Sequence, residues 1–222
     1  MASDAHCKTI LQFFMLERVI TVTSLGNLME RIAGSEGNSD ALINKINDKI
    51  QEFSQKIVKT NCEVTGEKMY VMIFTADDAD VKSQLTKDQI DFFYPLMDKI
   101  ITSSGSIALI TALNMGPAVT MSRVTLADAE KFIELFILKK LLLLENGYLY
   151  LSPLTIAEFR PYINENYNLD PCMLCKKMLV FGESCPSCCT PIHVQCLKDF
   201  LHNSKKAVKC PQCKEPLIAQ SA

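Results

Sequence analysis

Four residue pairs of identical spacing close the chain: Cys172 and Cys175, Cys185 and Cys188, His193 and Cys196, Cys210 and Cys213. Each pair brackets two residues, and the intervals between pairs are nine, four and thirteen residues. A C-x-x-C turn can place both sulfurs on one ion while backbone amides point at them, and eight such ligands fill two tetrahedral sites. The spacing therefore predicts two structural zinc ions. Buried reduced cysteines would have no reason to repeat one spacing four times. The order of pairs favours a cross-brace, with Cys172, Cys175, His193 and Cys196 on one ion and Cys185, Cys188, Cys210 and Cys213 on the other. Two sequential fingers are the alternative, but the segments between pairs are too short and polar for two independent cores. Metal then replaces the missing core, at about 10–16 kcal/mol of apparent binding energy per ion. Neither site is left with an open position, so hydrolysis at zinc is not expected. Cys189 directly follows Cys188; the common spacing selects Cys188 as ligand and leaves Cys189 spare.

Composition narrows the class. Hydrophobic residues make up 48% of the 222 residues, enough for a buried core and against wholesale disorder. No apolar run behind a basic start marks a secretory signal. The most apolar stretch, FIELFILKKLLLL, is broken by Glu134, Lys139 and Lys140 and falls short of the roughly 18 apolar residues of a membrane span. The chain reads as soluble and intracellular, with no membrane partner. Its formal charge is −2, and the segment from Asp170 onward has seven lysines, four acids and no arginine. That is not the strongly basic field of a stand-alone nucleic-acid binder.

Upstream of the cysteines the pattern repeats. HCKTILQFFMLERV places Ile10, Leu11, Phe14 and Val19 near one helical face, and SLGNLMERI does so with Leu25, Leu28, Met29 and Ile32. SDALINKINDKIQEFSQKI is the clearest helix, with Ile43, Ile46, Ile50, Phe53 and Ile57 spaced by three and four and Ser39 as N-cap. KTNCEV and MYVMIF around TGEK read as strand, turn and strand. A second round begins at TKDQ, a capping box on Thr86 and Gln89. The helix IDFFYPLMDKII follows, then the apolar run SIALITALNM and the helix TLADAEKFIELFILKK capped by Thr125. The hairpin LLLLENGYLYL turns at Asn146-Gly147, where a type I′ turn needs positive φ at both central residues. Pro95 inside the first helix of this round would cost about 3 kcal/mol at mid-helix. Helices followed by a two-stranded wing, twice over, predict tandem winged-helix domains at 1–80 and 86–152. A capping box at TIAE opens a bridging helix in 153–169, and the two-zinc module occupies 170–218. The fold class expected is mainly α with small β: tandem winged helices, then a cross-braced variant RING (RING-like or PHD-like) module.

Two zinc modules share this ligand order. A PHD finger usually carries a tryptophan shortly before the seventh ligand, and this chain has none. A variant RING docks a ubiquitin-conjugating enzyme. The positions suited to that are Leu174 before the second ligand, Phe200 in the apolar stretch after the sixth, Pro211 after the seventh and Lys214 after the last. Leu174, Leu197 and Leu201 could equally pack the small core, Pro211 could only shape a knuckle, and Lys214 could be solvated. His6 and His202 lie outside the ligand set and read as surface residues.

Taken together, the chain resembles the non-SMC element one family, the RING-like subunits of the SMC five/six complex. DAHCKTILQFFML resembles that family's opening helix, ENGYLYLSPLTIAEFRPYI its second wing and bridging helix, and CMLCKKMLVFGESCPSCCTPIHVQC its zinc spacing. Cys189 stands where the family often has a small residue. The resemblance implies pairing with a MAGE-type subunit through winged helices, association with a kleisin-type subunit, and a role in DNA repair on chromosomes in the nucleus. It also implies ubiquitin-protein ligase activity that is weak alone and helped by the MAGE partner. No Ser/His/Asp or Cys/His nucleophile is present; a RING holds a charged conjugating enzyme near its substrate and makes transfer effectively intramolecular. A purely architectural zinc module is the second reading. Direct DNA binding through the third helices is the third, and there acids mix with lysines and arginine is absent; DNA is expected only indirectly or within the complex.

Overall fold

The structure, a computed structural model, describes residues 4–33, 38–75, 85–119, 124–203 and 209–217. The first unit runs α1 (Asp4–Glu17), β1 (Val19–Thr21), α2 (Val22–Ala33), α3 (Ser39–Ile50), β2 (Gln55–Asn61) and β3 (Lys68–Phe74). The second repeats the order: α4 (Lys87–Thr102), β4 (Ser106–Ala108), α5 (Leu109–Val119), α6 (Leu126–Leu138), β5 (Leu142–Glu145) and β6 (Tyr148–Leu151). Both sheets are antiparallel with the late hairpin's second strand in the middle, β1-β3-β2 and β4-β6-β5. Helix, strand, two helices and a hairpin in this pairing form the winged-helix arrangement. Each sheet adds one short strand, VIT or SIA, to the expected two-stranded hairpin; three residues are too few to carry a readable alternation. Within SIALITALNM only the first three residues are strand; helix takes over at Leu109.

Each unit has its own core. Ile10, Phe14, Leu25, Ile43, Ile46, Ile50, Ile57 and Tyr70 fill the first. Phe92, Phe93, Leu96, Met97, Phe136 and Phe159 fill the second, with Phe93 and Phe136 packed edge to face at 5.1 Å. Pro95 stays inside α4, where the buried Phe92, Phe93, Leu96, Met97 and Ile100 anchor the helix on both sides of the missing amide. Thr86 with Gln89 and Thr125 with Asp128 form capping boxes. The turn Asn146-Gly147 has φ of 51° and 80°.

Three local expectations are corrected. Asn38, not Ser39, caps α3, its Oδ1 accepting the Ala41 amide at 3.1 Å. The same helix stops at Ile50, continues as one 3₁₀ turn over Gln51–Phe53, and ends at Ser54, whose φ is 54°. Phe53 is therefore 65% exposed, while Ile57 reaches the core from β2. The TIAE box is not used. Ser152 caps α7 (Pro153–Glu158), and Thr155, one turn in and fully buried, donates its hydroxyl to Leu141 O at 2.6 Å. The bridge is two short helices, α7 and α8 (Arg160–Asn166), meeting at Phe159. Residues 1, 80 and 218, which bound the expected domains, lie outside the described residues.

Glu158, freed from capping, ties the bridge to the first unit. Its carboxylate accepts from Arg18 Nη2 at 2.9 and 3.0 Å, and the two side chains are 8% and 14% exposed. Arg18 also lies over the Phe74 ring, 5.2 Å from its centroid. Removing one partner strands a buried charge. Glu158→Ala should therefore cost about 3–5 kcal/mol in urea unfolding, and replacing both residues by methionine should recover most of that loss.

Candidate metal centre

The module beyond the bridge has little regular structure: β7 (Glu183–Ser184) pairs with β8 (Pro191–Ile192), and α9 (Val194–Asn203) follows. Turns do the positioning. Three of the four pairs sit in the same knuckle. Lys176 N donates to Cys172 O, Cys189 N to Cys185 O and Lys214 N to Cys210 O, each at 2.9 Å. The first cysteine's own amide donates to a carbonyl two residues past the second cysteine: Lys177, Thr190 and Glu215. The residue after each pair is left-handed, with φ of 61° at Lys176, 56° at Cys189 and 68° at Lys214. Cys189 is thus the turning residue of its knuckle, and it is exposed. The fourth pair is built differently: β8 delivers His193, and the first turn of α9 delivers Cys196.

Folding brings the pairs together in interleaved order. Cys172, Cys175, His193 and Cys196 place their ligand atoms within 4.8 Å of one another, and so do Cys185, Cys188, Cys210 and Cys213. Cys185 and Cys213 sulfurs are 3.7 Å apart, as are those of Cys188 and Cys210. A tetrahedral ion with 2.3 Å metal–sulfur bonds has an S···S edge of about 3.8 Å. In the other cluster His193 Nδ1 lies 3.3 Å from Cys175 Sγ and 3.8 Å from Cys196 Sγ. Both sets can therefore hold a metal ion, and their thiolate-rich donors suit a soft or borderline one.

Amides and neighbouring charges set the acidity of these ligands. Burial pushes Cys172 up, but the amides of Cys175, His193 and Leu174 outweigh it and lower the thiol to about 6. The Thr190 hydroxyl, 3.1 Å away, leads in lowering Cys188 to about 6. Burial and the Cys172 and Cys175 thiols raise Cys196 to about 12. At Cys213 the Glu215 amide pulls downward, yet burial and the surrounding cysteines carry it to about 12. Burial lowers His193, but Glu63 and Cys172 prevail and raise it to about 9.

The four residues expected to dock a conjugating enzyme are spread over this module. Leu174 is half-buried and packs against the small core of Met173, Ile192, Leu197 and Leu217. Phe200 is half-buried on α9, while Pro211 and Lys214 are exposed on the last knuckle. Lys214 Nζ donates to Pro211 O at 2.8 Å. His202 is exposed. One residue escaped sequence reasoning. Glu63, in the first wing's turn, accepts from the amides of Val180 and Phe181 and approaches His193 Nε2. A lone acid in a polar turn carries no signal of its own.

Tandem winged helices ending in a two-cluster RING-like module define the class of this protein. The Nse1 non-SMC component of SMC5-6 complex family matches residues 7–134, and a RING-like domain matches residues 172–213. The chain belongs to that Nse1 family. It is 24% identical to the non-structural maintenance of chromosomes element 1 homolog of Rattus norvegicus, over 96% of this chain and 84% of that one. The Bos taurus homolog is 26% identical over 78% of this chain and 66% of its own length. A chain of a solved Nse1-Nse3-Nse4 complex superimposes with a TM-score of 0.85 at 21% identity, covering 98% of both chains.

Two outcomes test the cluster geometry. At pH 7 the groups near 12 and 9 hold protons, whereas metal ligation needs thiolates and a neutral ring. Metal uptake must then expel the protons of His193, Cys196 and Cys213, so affinity rises with pH through neutrality. Calorimetric zinc titration in buffers of different ionisation enthalpy reads that release directly. Separately, Cys188→Ser should lose one ion, while Cys189→Gly keeps both and relieves roughly 1 kcal/mol of left-handed backbone cost. Metal counting and thermal unfolding distinguish the two variants.

Proposed function

We propose that this protein is the RING-type subunit of an SMC5-6 complex, pairing with a MAGE-type Nse3 and a kleisin-type Nse4 subunit. Its module holds two zinc ions and presents a ubiquitin-conjugating enzyme to substrates. The carrying observation is the interleaved pair of clusters, Cys172/Cys175/His193/Cys196 and Cys185/Cys188/Cys210/Cys213, behind two winged helices. Their donor sets suit zinc, which would hold the loops rigid. Each ion would be saturated by four protein ligands, so it supplies no reactive water. Catalysis by such a module is positional: the conjugating enzyme's thioester is held near a lysine, and no bond forms to the ligase. Leu174, Phe200, Pro211 and Lys214 are the docking residues in this reading.

Pairing of the winged helices has support of its own. Met15 and Leu16 at the end of α1, and Leu138 at the end of α6, are 63%, 84% and 78% exposed. Lys140 contacts Glu17 between them, so two exposed apolar ends lie close together. Large exposed apolar side chains grouped in this way mark protein-facing surface. The place of work is nuclear and chromosomal, with DNA reached through the complex.

A second reading, architecture without ligase activity, is favoured by one observation. Lys214's ammonium is engaged with its own knuckle at Pro211 O. Discharge of ubiquitin from a loaded conjugating enzyme separates the two. With the MAGE-type partner present, the protein should accelerate discharge at least severalfold, and Leu174→Ala or Lys214→Glu should abolish the gain without losing zinc. Absence of any acceleration in an intact, zinc-loaded complex would establish the architectural reading.

A further inference from the structure

The wing of the first unit reaches into the metal module. Its turn, Cys62 to Glu67, repeats the hydrogen bonds of the cysteine knuckles: Cys62 N donates to Glu67 O and Gly66 N to Cys62 O, both at 2.8 Å. Gly66 takes the left-handed place, with φ of 78°, and Thr65 stands where a knuckle has its second cysteine. A Cβ on Gly66 would run into the side chain of Gln195 on α9. The turn is therefore seated directly against the module. That seating buries Glu63 to 8% exposure. Its carboxylate accepts from Phe181 N at 2.8 Å and Val180 N at 3.2 Å, and one oxygen lies 3.5 Å from His193 Nε2. The same ring nitrogen is 3.1 Å from Met178 O. With Nδ1 turned to a metal, Nε2 would keep its proton and donate it to Met178 O, with the Glu63 carboxylate beside that bond.

A ligating histidine is held in its tautomer and orientation by what its second nitrogen meets, most effectively a carboxylate. Here that carboxylate comes from a different folding unit, some 130 residues earlier in the chain. The other cluster is all cysteine and has no imidazole to orient. We propose that Glu63 is an outer positioning residue for the ion at Cys172, Cys175, His193 and Cys196, so that seating of the first wing and metal occupancy of this cluster stabilise each other. This rests on the reading that the cluster holds zinc. Coupling of this kind is reciprocal: whatever the seated wing adds to metal affinity, the metal adds to wing seating.

The test uses the full chain, in complex with its partners where needed for solubility. Zinc is first counted in the unaltered protein; if neither cluster holds zinc, the metal reading falls and this inference with it. With two ions present, release to a chelator is timed. Glu63→Gln, which keeps the shape but removes the charge, should release one ion about 10- to 100-fold faster and leave the other unchanged. With cobalt in place of zinc, the absorption bands of the three-cysteine, one-histidine site should shift and those of the four-cysteine site should not. In the converse direction, Cys175→Ser should speed amide exchange across 62–67, whereas Cys213→Ser should leave it slow. Unchanged release of both ions, equal loss of both, or indifference of the wing turn to Cys175→Ser would each overturn the proposal. Gly66→Ala provides an independent variant: it strains the turn at its φ of 78° and crowds Gln195 with the carboxylate intact, and should reproduce the faster release of one ion.

Discussion

The constraint on which this molecule depends is that its last fifty residues cannot hold themselves together with apolar side chains. Among the described residues the cluster around the metal ligands buries three cysteines with Met173, Ile192, Leu197 and Leu217, while Leu179 and Val180 are buried outside it. That is too little apolar surface to offset the conformational entropy lost in ordering the module. Three knuckles add to the cost by placing Lys176, Cys189 and Lys214 in the left-handed region. Cluster closure has to supply the difference, and the interleaved order makes it efficient. Cys185 and Cys188 lie between the two halves of the first cluster, and His193 and Cys196 between the halves of the second, so the two clusters together tie down four successive stretches of chain.

Metal alone would still leave the module as a bead on a string. The segment from Met178 to Gly182 prevents this by being shared among all three units. Val180 is buried in the core of the second winged helix, and its amide is bound by Glu63 of the first. Phe181 packs on Tyr150 at 4.8 Å, and its backbone lies so close to Gly105 that a side chain there would collide with it. Gly105 has φ of 86°, so only glycine meets both demands without strain. The buried pair of Arg18 and Glu158 does the same service between the first unit and the bridge. Orientation of the module is therefore set by polar and apolar contacts together: Val180 and Phe181 pack on the second unit, and Leu154 and Ala157 of the bridge pack on Val71 of the first.

What the sequence revealed follows from which interactions are local. The gathering of the eight cysteine and histidine side chains into two groups was legible because a knuckle is four residues long, and which pairs share a group follows from their order. The capping box at Thr86, the cap at Thr125 and the turn at Asn146-Gly147 are equally local and equally legible. The misread cases are those decided at a distance. Ile57 keeps helical spacing with Ile50, yet Ser54 adopts a left-handed conformation and strand pairing with Met72 takes Ile57 into the sheet. Thr155 and Glu158 have capping-box form, but Thr155's hydroxyl serves Leu141 O and Glu158's carboxylate serves Arg18, 140 positions away. Glu63 was invisible because its meaning depends wholly on where His193 comes to rest.

These features bear on how such a protein could transfer anything. A saturated metal site offers no nucleophile and no Lewis-acid position, so whatever the module contributes to chemistry must come from geometry held constant while other proteins react. Geometry of that kind is only as good as its support. Leu174, Phe200 and the last knuckle stand on turns and a helix gathered by the two clusters, and a carboxylate of the first winged helix lies 3.5 Å from the histidine of one cluster. The unit bearing the exposed apolar residues Met15 and Leu16 is thus mechanically continuous with the ligand that closes the first cluster. A partner that clamps this winged helix and a metal that fills this cluster would act on the same equilibrium. Under the proposed ligase reading, such coupling would let a partner on the first winged helix steady the cysteine-rich module at the other end of the chain.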